Sequence, residues 1–116
     1  MGVFKIFHNP RCTKSRETLA LLKNNTAEEN IEVIEYLKSS PSKNELKDIL
    51  HKLGITAEEL IRKKEKDFAE YKNKELSEDD YLELLTRLPK LIERPIVVKG
   101  DKAIIGRPPE NVLSLI

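Results

Sequence analysis

The spacing of apolar residues along this chain runs from strand-like to helical and back to strand-like. Residues 3–7, VFKIF, are branched or aromatic with Lys5 breaking the run, which predicts a short strand. Asn9-Pro10 marks a turn. Residues 12 to about 24 then read as a helix, with Leu19, Ala20 and Leu22 turned inward and Lys14, Arg16, Glu17 and Lys23 toward water. Asn24 and Asn25 end it. Residues 31–37, IEVIEYL, alternate with apolar groups on both sides, which predicts an interior or half-covered strand. Strand, helix and strand at this spacing make a right-handed βαβ unit.

The middle of the chain is helical. Ser42 and Glu45 form a capping-box signature, Leu46, Ile49, Leu50 and Leu53 mark one apolar face, and Gly54 closes the run. Thr56 and Glu59 repeat the capping signal before Leu60 and Ile61. Residues 62–75, RKKEKDFAEYKNKE, are densely charged, with Phe68 and Tyr71 spaced to anchor a short helix. Another helix runs from Ser77 to about Leu88 on Tyr81, Leu82, Leu84, Leu85 and Leu88, and Pro89 stops it. Strand period returns in PIVV, residues 95–98, and KAII, residues 102–105, joined as a hairpin through Lys99-Gly100-Asp101. Pro109 suits the first turn of a final helix carrying Val112, Leu113 and Ile116. The order β-α-β, helical block, β-β-α predicts an α/β fold with a four-stranded mixed sheet covered by helices. The helical block, at about 41–90, reads as an insertion within a single domain spanning 1–116, because no Pro/Gly-rich linker sets it apart.

Composition narrows the function classes. Charged residues make up 35 % of the chain, yet the formal net charge is only +1. That balance argues against broad nucleic-acid binding while leaving room for a focused anion site. No apolar stretch is long enough to span a membrane, and MGVFKIFHNPRC lacks a signal-peptide core. Met1-Gly2 opens like a myristoylation signal, but Ile6 stands where Ser or Thr is required. With one unpaired cysteine, these features point to a reducing cytoplasm.

That cysteine, Cys12, falls where the first strand gives way to the first helix. Two readings stand: a small buried filler and a nucleophile. Polar neighbours at 11 and 13–17 argue against full burial. Unpaired backbone N–H groups and the helix dipole favour a thiolate there, so the pKa should fall below the ~8.5 of a free cysteine. Arg11, Lys14 and Arg16 add positive charge, and the Ser15 hydroxyl is spaced to donate to the sulfur. His8 is either a strand-end residue with a satisfied ring or, when protonated, a further support for the thiolate. In C-T-K-S, serine stands where a redox pair would have its second cysteine, so a covalent intermediate needs an outside thiol: glutathione, a glutaredoxin or thioredoxin. A tyrosine-phosphatase loop fails on spacing, since position 18 is Thr where that loop needs Arg, and no Walker loop is present. His8, Cys12 and His51 give no metal-ligand spacing.

The chain has 15 lysines and 6 arginines, so the placement of the arginines is informative. Arg94 precedes Pro95 at the start of a strand, and Arg107 lies between Gly106 and Pro108 just after the next strand. Rigid neighbours pin both. Arg62 opens the charged segment beside Lys63 and Lys64. Guanidinium groups bind oxyanions with planar, bidentate geometry. The bland alternative is that all three are solvated charges, and it is strongest for Arg62.

FHNPRCTKSRE at 7–17, Arg62-Lys63-Lys64-Glu65, ERPIVV at 93–98 and IGRPPE at 105–110 together resemble the glutaredoxin-dependent arsenate reductase (ArsC) family across nearly the whole chain. The resemblance implies a thioredoxin-like fold with a helical insertion. It implies reduction of arsenate to arsenite in the cytoplasm, with no bound cofactor, glutathione as co-substrate and glutaredoxin or another small thiol donor as partner. Cys12 matches the nucleophile, His8 and Ser15 its catalytic helpers, and Arg62, Arg94 and Arg107 the oxyanion-binding arginines. Pro95 matches the position of a cis proline. A monomer without membrane or nucleic-acid partners is expected. Two relatives compete: an Spx-like regulator that binds RNA polymerase, against which Ser15 and Gly106-Arg107 speak, and a YffB-like thiol protein with another substrate.

Overall fold

The computed structural model describes residues 3–116; the Met1-Gly2 motif lies outside the described residues. They divide into two compact units, one made of residues 3–39 with Arg94–Ile116 and the other of Ser40–Glu93. The expected insertion at 41–90 falls inside the second.

The first unit is built on four strands, β1 (Phe4–Phe7), β2 (Ile31–Ile34), β3 (Ile96–Lys99) and β4 (Lys102–Ile105), in the order β2-β1-β3-β4. β1 runs parallel to β2 and antiparallel to β3, which pairs antiparallel with β4; Ile6 stands between Val33 and Val97 in the register. This is the thioredoxin-like mixed sheet, with its parallel step bridged by helix α1 (Thr13–Asn25). Phe4, Ile6 and Val97 share one sheet face by period-two alternation, and Leu22 of α1 with Val112 and Leu115 close the core over it.

Three expectations change here. IEVIEYL is a strand only to Ile34 and forms a sheet edge, with Val33 43 % exposed; Lys38 and Ser39 donate their N–H groups to the Glu35 carbonyl and turn the chain away. The last helix is a 3-10 helix, Pro109–Leu115, burying Val112 and Leu115 while Leu113 and Ile116 face out, because its three-residue repeat selects that pair. On α1, Ala20 is exposed, and the inward stripe is Ser15, Thr18 and Leu22.

The second unit follows its capping signals. α2 (Lys43–Leu53) and α3 (Ala57–Leu60) each begin with a reciprocal capping box, Ser42 with Glu45 and Thr56 with Glu59. α4 (Glu78–Arg87) has a third, Ser77 with Asp80. Gly54 takes the left-handed conformation at φ 71°, and its N–H donates to the Leu50 carbonyl at 2.8 Å. Leu46, Leu60, Leu84, Leu85 and Leu91 are fully buried. The charged segment folds as a 3-10 helix, Lys66–Tyr71, with Phe68 buried. No helix among the described residues is long and apolar enough to cross a membrane.

Gly106 is fixed by close approach. A Cβ there would lie 2.5 Å from Thr18 Oγ1 and 2.9 Å from Pro95 Cγ. Gly106→Ala is therefore expected to destabilise the protein by about 1–3 kcal/mol in urea unfolding. Adding Thr18→Ala should recover part of that loss; simple additivity of the two changes would contradict the contact.

Candidate active site

The first unit brings the end of β1, the start of α1 and the ends of the β3–β4 hairpin together around Cys12. After β1 the Asn9 side-chain carbonyl accepts the Arg11 N–H at 3.0 Å, and the Asn9 backbone carbonyl accepts the Cys12 N–H at 3.0 Å. This tight turn delivers Cys12 as the N-cap of α1, with extended backbone at φ −96° and ψ 122°. Arg16 braces the turn, donating to the Pro10 carbonyl at 2.9 Å and to Thr13 Oγ1 at 3.2 Å. No acidic residue occupies the first turn of the helix, so nothing there offsets its positive end.

Cys12 is buried, at 8 % exposure, against the expectation from its polar neighbours. Of those neighbours all but Ser15 are exposed, while the sulfur faces inward on the same stripe as Ser15 and Thr18. Its surroundings are nonetheless polar. Burial, the largest single influence, pushes the thiol pKa up; the Ser15 N–H, the Arg94 guanidinium, the Lys14 N–H and the Arg107 guanidinium together outweigh it, and the net shift is downward.

The two arginines differ. Arg107 Nη2 lies 3.7 Å from Cys12 Sγ, and its Nε donates to the Arg94 carbonyl at 2.8 Å, so the backbone of one arginine aims the side chain of the other. Arg94 Nε and Nη1 are shut off from water, and among the described residues neither has a hydrogen-bond acceptor. Buried donors on a charged group are rarely left so. The Arg94–Pro95 and Arg107–Pro108 peptide bonds are both cis.

His8 and Ser15 are joined side chain to side chain, His8 Nδ1 to Ser15 Oγ at 2.6 Å, and the Asn9 N–H donates to the same hydroxyl at 3.0 Å. The Ser15 hydroxyl therefore serves His8 and the turn, and its backbone N–H is the group that acts on the sulfur. Burial, more than anything else, lowers the His8 pKa; Glu35 opposes this, and Arg16 and Lys23 add to it. A lowered pKa favours the neutral ring, which supports the first of the two readings that the sequence left open, a strand-end residue with a satisfied ring.

Arg62 lies in the second unit, half-buried, with Nη1 2.9 Å from Glu65 Oε2 and Nε 3.4 Å from Glu93 Oε1. Its N–H donates to the Leu91 carbonyl at 2.7 Å, next to the Ile61–Ile92 bridge. No group of three potential metal ligands occurs among the described residues. Thr18 and Gly106 are the residues that sequence reading passed over. Positions 12, 15, 18 and 22 fall on one helical stripe, and the helical period itself places Thr18 inward with Ser15 and Leu22.

Two titrations test this electrostatic picture. Iodoacetamide labelling of Cys12 against pH should give a midpoint below the ~8.5 of a free cysteine, and Arg94→Ala should raise it; a wild-type midpoint at or above that value would refute it. For His8, the folded ring binds its proton less readily than the unfolded ring at ~6.5. The unfolded chain then takes up more protons as pH falls below ~6.5, so stability is lost in that direction and unaffected above it. His8→Asn, which keeps a hydrogen-bonding group near the Nδ1 position, should flatten that slope in urea unfolding, and an unchanged slope would count against the buried neutral ring.

The ArsC family model matches residues 7–115. The chain is 46 % identical over 114 residues to an arsenate reductase of Haemophilus influenzae, covering 96 % of this chain and 97 % of that protein. It is 49 % identical over 115 residues to the uncharacterized protein YfgD of Escherichia coli K12, covering 97 % and 95 %. Among solved structures, an arsenate reductase from Vibrio cholerae aligns with a TM-score of 0.92 at 44 % identity, over 99 % of this chain and 98 % of that one. With a family model spanning nearly its whole length, and near-complete relatives agreeing in sequence and in structure, the chain belongs to the ArsC family.

Proposed function

We propose that this protein reduces arsenate to arsenite, with Cys12 as nucleophile and an outside thiol pair as reductant. The observation that carries this reading is the Arg94 guanidinium, whose buried Nε and Nη1 have no protein acceptor beside a sulfur that Arg107 also faces. A tetrahedral oxyanion supplies acceptors to such donors. The names of the relatives supply the arsenic.

The Cys12 thiolate attacks arsenic(V), a bond forms from sulfur to arsenic, and one oxygen leaves as water after protonation. The arginines offset the repulsion between two anions and hold the arsenate in line for attack. Glutathione then joins the arsenic through its own sulfur, displacing a second water. A further thiol, from a glutaredoxin, attacks the glutathione sulfur; a disulfide forms, the arsenic–glutathione bond breaks, and its electron pair stays on arsenic, now trivalent. Water releases arsenite from Cys12 and restores the thiol. Ser15 occupies the place of a second cysteine, which supports an external reductant. His8 and Ser15 hold the turn that carries the nucleophile. Arg62 is proposed as a third anion-binding arginine on the family resemblance alone.

A coupled assay with glutathione and either glutaredoxin or thioredoxin tests the reading. Arsenate turnover with glutaredoxin is expected; Cys12→Ser should abolish it with circular dichroism unchanged. Arg94→Ala and Arg107→Ala should each lower kcat/KM on the order of tenfold or more. Full turnover in Cys12→Ser would end the nucleophile assignment, and unchanged kcat/KM in both arginine variants would end the anion site.

A further inference from the structure

We propose that Thr18 is a positioning residue, which sets the distance between the Cys12 sulfur and the Arg107 guanidinium through its contact with Gly106. It rests on the reading of Cys12 as nucleophile.

Thr18 is fully buried on α1, the same helix that Cys12 caps. Its hydroxyl donates to the Lys14 carbonyl at 2.8 Å and faces the Gly106 carbonyl at 3.4 Å. The first bond fixes the rotamer, and the hydroxyl then stands as a stop against the hairpin end. Gly106 sits so close to that stop that a Cβ would overlap it, 2.5 Å from Oγ1 and 3.0 Å from Cγ2. On its other side the Gly106 N–H donates to the Pro95 carbonyl at 2.8 Å. Gly106 is therefore clamped between the helix and the residue after Arg94. The next residue is Arg107, whose Nε is tied to the Arg94 carbonyl and whose Nη2 reaches Cys12 Sγ at 3.7 Å. Helix, clamp and guanidinium form a closed loop of contacts, so the spacing at one point fixes the spacing at the other. A methyl in place of Oγ1 is larger, has no hydrogen to donate, and faces two carbonyls; it drives Gly106 outward and carries Arg107 with it.

The readout is the ratio of Cys12 alkylation rates with iodoacetate, which is anionic, and iodoacetamide, which is neutral. Positive charge beside the sulfur raises that ratio. Thr18→Val should lower it roughly twofold, as expected for a guanidinium retreating by a few ångströms near water. Thr18→Ser, which keeps Oγ1, should restore it. In an Arg107→Ala background Thr18→Val should have no further effect, because the group it positions is gone. Thr18→Ala, which removes the stop without overfilling the site, should shift the ratio as well, because nothing then holds the spacing, and it stands in if the valine variant does not fold. A ratio that is unchanged in the valine and alanine variants, or that falls equally with and without Arg107, overturns the positioning role. A wild-type ratio no higher than that of a small free thiol overturns the nucleophile reading as well.

Discussion

The Arg94 guanidinium is hidden from water on two nitrogens that find no acceptor in the surrounding protein. An unpaired buried donor on a charged group is expensive, and a fold keeps one only where something negative offsets it. Cys12 supplies part of that offset. The relation runs both ways, because burial alone would keep the sulfur protonated, and Arg94 is among the groups that reverse the balance. Each charge is tolerable because the other is present.

The rest of the first unit can be understood as the support for this pair. The βαβ crossover ends β1 beside a helix N-terminus, where backbone N–H groups already face a negative atom. The hairpin returns two arginines to the same place, one just before β3 and one just after β4. The link between them is a single hydrogen bond from Arg107 to the Arg94 backbone, which couples their positions. His8, Ser15 and the Asn9 N–H form a small network that is electrically neutral, as burial favours. Charge is thus concentrated at the sulfur and the guanidinium groups, with neutral polar contacts holding the frame.

Most of the architecture was legible because its signals are local. Capping boxes at Ser42 and Thr56, Gly54 and the hairpin turn each report on a few neighbouring residues, and each is where the sequence put it. The errors came where tertiary context decides. Ile31–Ile34 carries apolar groups on both sides yet lies at a sheet edge, since strand order is not written in alternation. Leu113 and Leu115 are equally apolar, and only the tighter 3-10 repeat selects Leu115. In the site, residue types and spacing pointed to Cys12, Arg94 and Arg107. The sequence left two readings open for Cys12 and two for His8, and the Thr18–Gly106 contact was not legible, because each depends on what another segment places alongside.

The central claim is that an oxyanion is the missing acceptor for Arg94. The most direct test is the nitrogen and proton NMR signal of the Arg94 Nε–H in the Cys12→Ser protein, where arsenate can bind but not react. Titration with arsenate should move that signal saturably, as a buried donor gains an acceptor. A signal that stays in place at arsenate concentrations saturating for turnover would contradict the account.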